Sequence, residues 1–242
     1  MTFNYQDALA YGGITGAHPG GFALTKMLFE NEKIHLGAKM LDAGCGTGQT
    51  SSFLAKRGFK VIAIDNHPEM IKKATQRFEE GKVHVKVIEG NIENLPFRDG
   101  YFDWVVAESS TVFGNIEKSL KEYYRVLKSG GSLLCIEITK ESPLSKTEDM
   151  EIKQFYGMKK IPTEVEWVEM IKESGFNTIN ILKAMSILEE LLDYTFDEKD
   201  QIDLNELNNL HTEVELLLNI HSQMMMDYSE KLGYRVFKAT KK

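Results

Sequence analysis

The stretch LDAGCGTGQT, residues 41–50, follows the apolar run KMLD and passes directly into GQTSSFLAKR, which has the composition of a helix. A strand that turns into a helix through closely spaced glycines needs backbone shapes that a Cβ forbids, or a ligand lying against the chain. Either way the chain is confined to α/β folds in which a strand feeds a helix N-terminus and ligands gather at the carboxyl edge of the sheet. Gly44, Gly46 and Gly48 are spaced GxGxG, with Gln49 where the dinucleotide fingerprint GxGxxG has its last glycine. Asp42 stands just before the turn. The next apolar run, FKVIAI, leads into Asp65, an acid that can accept from both hydroxyls of a ribose. A carboxylate beside the turn repels phosphate and attracts a cation, so the turn suits a cationic ligand better than a pyrophosphate.

From residue 38 short apolar runs alternate with helical stretches, as in a parallel sheet covered on both faces. Strands are expected at 39–42, 59–64, 83–88, 102–107, 132–137 and 176–182, and helices at about 48–57, 68–80, 115–127 and 163–174. Gly58, Gly81, Gly130–Gly131 and Gly175 are placed as helix stops, and Pro68 and Pro162 as helix starts. YRVFKAT, 234–240, is strand-like and follows almost fifty residues of helical character. Residues 184–231 carry twelve acids against Lys199 and Lys231, a local charge of −10 in a chain of net charge −7. Asp203 and Glu206 form a capping-box-like start there. Leu207, His211, Val214, Leu218, His221, Met225 and Tyr228 then repeat along one helical face. The segment reads as a helical insertion. The acidic balance argues against nucleic acid as a partner. No apolar run spans a bilayer, the N-terminus lacks a signal-peptide pattern, and Cys45 and Cys135 form no CxxC pair, so a cytoplasmic protein without a metal site is expected.

MLDAGCGTGQT resembles the first motif of the class I S-adenosylmethionine-dependent methyltransferases. The likeness continues through VIAIDNHPEM, GNIENLPFRDGYFDWVVA and YYRVLKSGGSLLCIE, over roughly 38–138. The wording around NIENLPF is similar to the menaquinone and ubiquinone C-methyltransferases. The resemblance implies a doubly wound, Rossmann-like α/β sheet of seven strands whose last strand, YRVFKAT, runs antiparallel between the fifth and sixth. The helical cap then falls between strands six and seven. On this reading 1–37 is an N-terminal lid and helix, 38–183 with 232–242 the cofactor domain, and 184–231 the cap. The implied cofactor, S-adenosyl-L-methionine, is a cation without phosphate. Its methionyl part would lie on Gly44, Cys45, Gly46 and Gly48 beside Asp42, with its carboxylate reached by Tyr11. Asp65 would bind the ribose, Asn66 and Met70 would flank the adenosine, and Asn91 and Ile92 would border adenine.

The carboxyl edge also collects Glu108 and Glu137, and the cap is expected to cover an acceptor pocket there. Methyl transfer is an in-line displacement that needs a base only when the acceptor must lose a proton. Candidates for that base are His18, Glu108, His211 and His221, and Glu108 is equally a cofactor contact. The acids of the cap and mouth disfavour phosphorylated acceptors and point to a neutral or cationic small molecule with an apolar part. Two other classes stay open: a protein that binds the cofactor as a sensor or interaction module, and a nicotinamide-dependent oxidoreductase, which Gln49 disfavours. The sequence leaves the oligomeric state undetermined.

Overall fold

The computed structural model describes residues 3–193 and 212–242. Seven strands, β1 (Lys39–Ala43), β2 (Lys60–Asp65), β3 (Lys86–Glu89), β4 (Phe102–Glu108), β5 (Leu127–Lys140), β6 (Thr178–Ser186) and β7 (Leu232–Thr240), form one sheet in the order β3-β2-β1-β4-β5-β7-β6. The pairings from β3 through to β5 are parallel, and β7 is antiparallel to both β5 and β6. The order reverses at β1, where the next strand is added on the other side, and such a switch point opens a crevice at the carboxyl edge. The helices are α1 (Tyr5–Tyr11), α2 (Gly21–Asn31), α3 (Gln49–Lys56), α4 (Pro68–Glu80), α5 (Ile116–Val126), α6 (Lys146–Tyr156), α7 (Glu164–Glu173), α8 (Ile187–Asp193) and α9 (Thr212–Asp227). Among the described residues no helix is long and apolar enough to cross a membrane.

The central strands β1, β4 and β5 are buried along most of their length, and Leu41, Val105, Val106 and Ile136 are fully enclosed. Burial on both faces explains their continuous apolar runs. Trp167 of α7 is fully buried, and its indole N–H donates to the Ile138 carbonyl at 2.9 Å, tying that helix to β5.

Several local expectations change. Gly130 and Gly131 do not stop the preceding helix. It ends at Val126 and the chain enters β5 at once, so both glycines lie within that strand, where Gly130 N–H donates to the Lys241 carbonyl. The strand expected at 176–182 runs to Ser186, because β6 keeps pairing with β7 as far as Ser186 and Gly233. Helices α1 and α6 were not expected, although each opens on a capping box, Asn4 with Asp7 and Ser145 with Glu148. Asp203, Glu206, Leu207 and His211 lie outside the described residues.

Glu137 stands at the carboxyl edge, one residue past the Glu108–Ile136 pairing, but its side chain is sealed from the crevice. It is fully buried in β5, and neither carboxylate oxygen has a partner in hydrogen-bond geometry among the described residues. Burial pushes its pKa up to about 8, which the nearby Thr111 and Val112 groups offset only in part. A carboxyl whose folded pKa is raised is neutral in the fold at pH 6. Its ionisation costs stability as pH rises from the unfolded value through about 8. Glu137→Gln is therefore expected to raise the melting temperature at pH 9 and to change it little at pH 5. Equal shifts at both pH values in thermal unfolding would contradict this.

Candidate functional site

The carboxyl ends of β1, β2 and β4, together with the N-terminal segment, enclose a cavity of about 260 Å³. Asp42, Gly44, Cys45, Gly46, Asp65, Asn66, Met70, Asn91, Ile92, Glu108 and His18 all line it, so the structure brings these expected residues together. Gly48, Tyr11 and His221 do not line it. Residues that sequence reasoning passed over also do, among them Gln6, Leu9 and Ile14 from the N-terminal segment, and Gln49 and Thr50 at the start of α3.

The three glycines do different work. At Gly46, φ is +52°, and an added Cβ would meet nothing nearer than Met70 Sδ at 3.9 Å, so this position faces open space. At Gly48, φ is +79°, and a Cβ would lie 2.7 Å from Phe78 Cζ and 3.0 Å from Ala74 Cβ. Gly48 therefore serves the packing of α3 on α4, not the cavity. Gly44 backs onto Ser110, where a Cβ would lie 2.3 Å from Ser110 Cβ. Cys45 is buried and its thiol pKa is pushed up by burial, which makes it an inert filler of the turn.

Three carboxylates converge. Asp65 is held rigidly: Gly46 N–H donates to one oxygen and His67 N–H to the other, both at 2.9 Å. Asp42 is 2% exposed and accepts from Ser51 Oγ at 2.6 Å. Burial, and then the charges of Glu108 and Asp65, push its pKa up to about 7. Glu108 accepts from Thr25 Oγ1 at 2.6 Å and Thr50 Oγ1 at 2.5 Å, and His18 Nε2 lies 3.6 Å from it. The amide oxygen of Gln49 is buried without a partner among the described residues. An enclosure with four acids, Glu93 joining the three above, an orphaned acceptor and no lysine or arginine in its described lining is built for a cation with hydrogen-bond donors.

Tyr11 does not reach this cavity. It stands 46% exposed on α1, its ring edge-on to His67 at 6.3 Å. The orientation of α1 is set instead by Asp7, whose carboxylate lies 3.1 Å from His67 Nε2, and by the buried Tyr5.

A second cavity, of about 270 Å³, adjoins the first and shares Gly16, Ala17, His18, Ser109 and Phe113 with it. Its walls are largely apolar, with Val112, Ile138, Met158, Ile187, Leu191 and Met225. Tyr5, Tyr156, Glu190 and His221 add polar groups. Tyr156 Oη and His221 Nδ1 are 2.8 Å apart, and burial lowers the pKa of His221. Ser109, at the junction of the two cavities, has φ +50°, a left-handed conformation that non-glycine residues take up rarely and often at functional sites.

A family model described as "Methyltransferase domain" matches residues 41–135. An uncharacterized methyltransferase, YodH, of Bacillus subtilis (strain 168) is 34% identical over 238 residues, 98% of this chain and 99% of its own. The chain belongs to the class I S-adenosylmethionine-dependent methyltransferases. A ubiquinone/menaquinone biosynthesis C-methyltransferase, UbiE, of Rhodopseudomonas palustris (strain TIE-1) is 32% identical over 59% of this chain and 67% of its own. Among solved structures, phosphoethanolamine N-methyltransferase 2 of Haemonchus contortus in complex with S-adenosyl-L-methionine superposes with a TM-score of 0.74 at 22% identity. That match covers all of this chain and 58% of the other. The [4+2]-cyclase SpnF matches with a TM-score of 0.73 at 20% identity, over 99% and 97% of the two chains. These last two likenesses concern the fold alone. The cofactor of this methyltransferase is S-adenosylmethionine, whose cationic, phosphate-free chemistry fits the carboxylate-lined cavity with its orphaned Gln49 acceptor.

Proposed function

We propose that this protein methylates a small molecule, neutral or cationic and with an apolar part, seated in the second cavity. The observation that carries the reading is the junction of two unlike cavities, one lined by carboxylates and the other mainly by aliphatic and aromatic side chains, which share His18, Ser109 and Phe113. When bound, S-adenosylmethionine supplies a methyl group already activated by its sulfonium. The chain's part is to position the acceptor, exclude water and, where the acceptor is acidic, take a proton.

In this reading the rigidly held Asp65 accepts from the ribose hydroxyls, and Asp42 and Gln49 face the ammonium end. Asn66, Met70, Asn91 and Ile92 enclose the adenosine. Glu108 already accepts from two threonine hydroxyls beside His18, so it positions His18 and the cofactor rather than acting as the base. His18 touches both cavities and is the candidate to receive an acceptor proton. Helices α8 and α9, with Ile187, Leu191, His221 and Met225, act as a cap over the acceptor. The described lining of the second cavity holds no lysine or arginine, which disfavours phosphorylated acceptors.

The Asp42 carboxyl gives a pH signature. With its pKa raised to about 7 in the free protein, it holds a proton at pH 6 that a bound ammonium displaces. Cofactor affinity is thus expected to rise from pH 5.5 to pH 8, with proton release at pH 6 that fades by pH 8.5. Titration calorimetry in buffers of different ionisation enthalpy reads this release. The same heat at pH 6 in every buffer would contradict it.

The function itself is tested by release of S-adenosylhomocysteine with a panel of phenols, amines, thiols and phosphate esters. Turnover confined to neutral or cationic members supports the reading. Preferred turnover of a phosphate ester defeats it, and no turnover across the panel would favour a binding protein.

A further inference from the structure

Within the second cavity one polar group has nothing to bond. Tyr5 is 5% exposed and lines the cavity, yet its hydroxyl makes no hydrogen bond among the described residues. Burial accordingly raises its pKa with no compensating partner. Its ring is fixed on three sides, edge-on to Tyr156 at 4.7 Å and tilted against His221 at 5.1 Å and Phe155 at 5.6 Å. The Tyr156–His221 hydrogen bond braces that arrangement. A rigid phenol whose hydroxyl opens on an apolar cavity without a protein partner offers its donor to a ligand oxygen.

The other polar groups narrow the ligand's charge. No lysine or arginine is present in the described lining to answer an anion. Glu190, the carboxylate in the lining, is engaged: it accepts from the Gly20 N–H at the start of α2, which ties α8 to the N-terminal segment. Lys183 and His18 also act on it. No unengaged carboxylate therefore faces a cation there.

Resting on the reading of this cavity as the acceptor site, we infer that the acceptor is an uncharged molecule with an apolar body, whose oxygen accepts a hydrogen bond from the Tyr5 hydroxyl. Tyr5 selects the oxygen-bearing compound over its hydrocarbon analogue, and the Tyr156–His221 pair holds Tyr5 in place. A site built to bond one oxygen discriminates against a molecule lacking it more sharply than an apolar wall can.

The test uses the full chain saturated with S-adenosylhomocysteine. Three probes share one bicyclic body: 1-tetralone, tetralin and tetralin-1-carboxylate. Calorimetry is expected to show 1-tetralone binding about tenfold more tightly than tetralin, with the carboxylate weakest. In Tyr5→Phe the ketone preference is expected to fall to within about twofold, with S-adenosylhomocysteine affinity unchanged. The melting temperature should be no lower, since the substitution removes no hydrogen bond. Retention of the preference in Tyr5→Phe, no preference or no ketone binding in the native protein, or tightest binding of the carboxylate would overturn the inference. Failure of S-adenosylhomocysteine itself to bind would overturn the cofactor reading beneath it, and the inference with it.

Discussion

Gly46→Val is expected to abolish measurable S-adenosylmethionine binding, a loss of about a hundredfold or more, while the protein still folds. Gly48→Val is expected to do the reverse. The difference lies in what each Cβ meets. At Gly46 it enters the cavity and finds open space in the free protein, so a β-branched side chain there fills volume the ligand needs. The left-handed backbone adds about 1–2 kcal/mol of strain, which a domain of this size can absorb. At Gly48 the same strain is joined by overlap with Phe78 and Ala74, both buried in the face where α3 meets α4. Overpacking of that kind costs about 1–3 kcal/mol in its own right. The sum for Gly48→Val, about 2–5 kcal/mol, corresponds to roughly 5–15 °C in melting temperature for a chain of this length. Thermal unfolding and titration calorimetry on the two variants read both effects. Equal loss of affinity in both, with equal stability, would show that the glycines share one role.

Asp65→Ala carries the second large effect. The carboxylate holds the Gly46 and His67 amides, one on each oxygen, and each oxygen keeps a lone pair for a ribose hydroxyl. Removing it leaves two buried donors of the ligand unmet and loosens the turn that presents Gly46. A loss of about 1–3 kcal/mol in binding is expected, between roughly fivefold and 150-fold in affinity. Calorimetric titration of the variant with S-adenosylmethionine measures it, and unchanged affinity would remove Asp65 from the site.

The parts of this protein that local sequence could reveal are those whose geometry is local. Asp42, Gly46 and Asp65 lie within strand ends and turns whose shape a few residues dictate, and they fall on one cavity. The antiparallel β7 between β5 and β6 was likewise legible, but only through resemblance, because nothing in YRVFKAT states its direction. Gly48 was misread because its neighbour Phe78 belongs to another helix, thirty residues on. Glu137 was misread because β5 is buried on both faces, so alternation could not say that its side chain points away from the crevice. The resemblance points to Tyr11, whereas Tyr5, also on α1, is the one that turns inward. Which of them turns inward depends on the Asp7–His67 contact and on packing against Tyr156 and His221, all long-range. The capping boxes at Asn4 and Ser145 were the available signals for α1 and α6, the two helices that contribute Tyr5 and Tyr156.

The central claim is that carboxylates have turned a nucleotide-type glycine turn into a site for a cation. Calorimetric titration of the full chain with S-adenosylmethionine, and in parallel with NAD, tests it most directly. The structure predicts saturable one-to-one binding of S-adenosylmethionine and no detectable binding of NAD, whose pyrophosphate would meet Asp42, Asp65 and Glu108 with no lysine or arginine in the described lining to offset them. Preferential binding of NAD would contradict it.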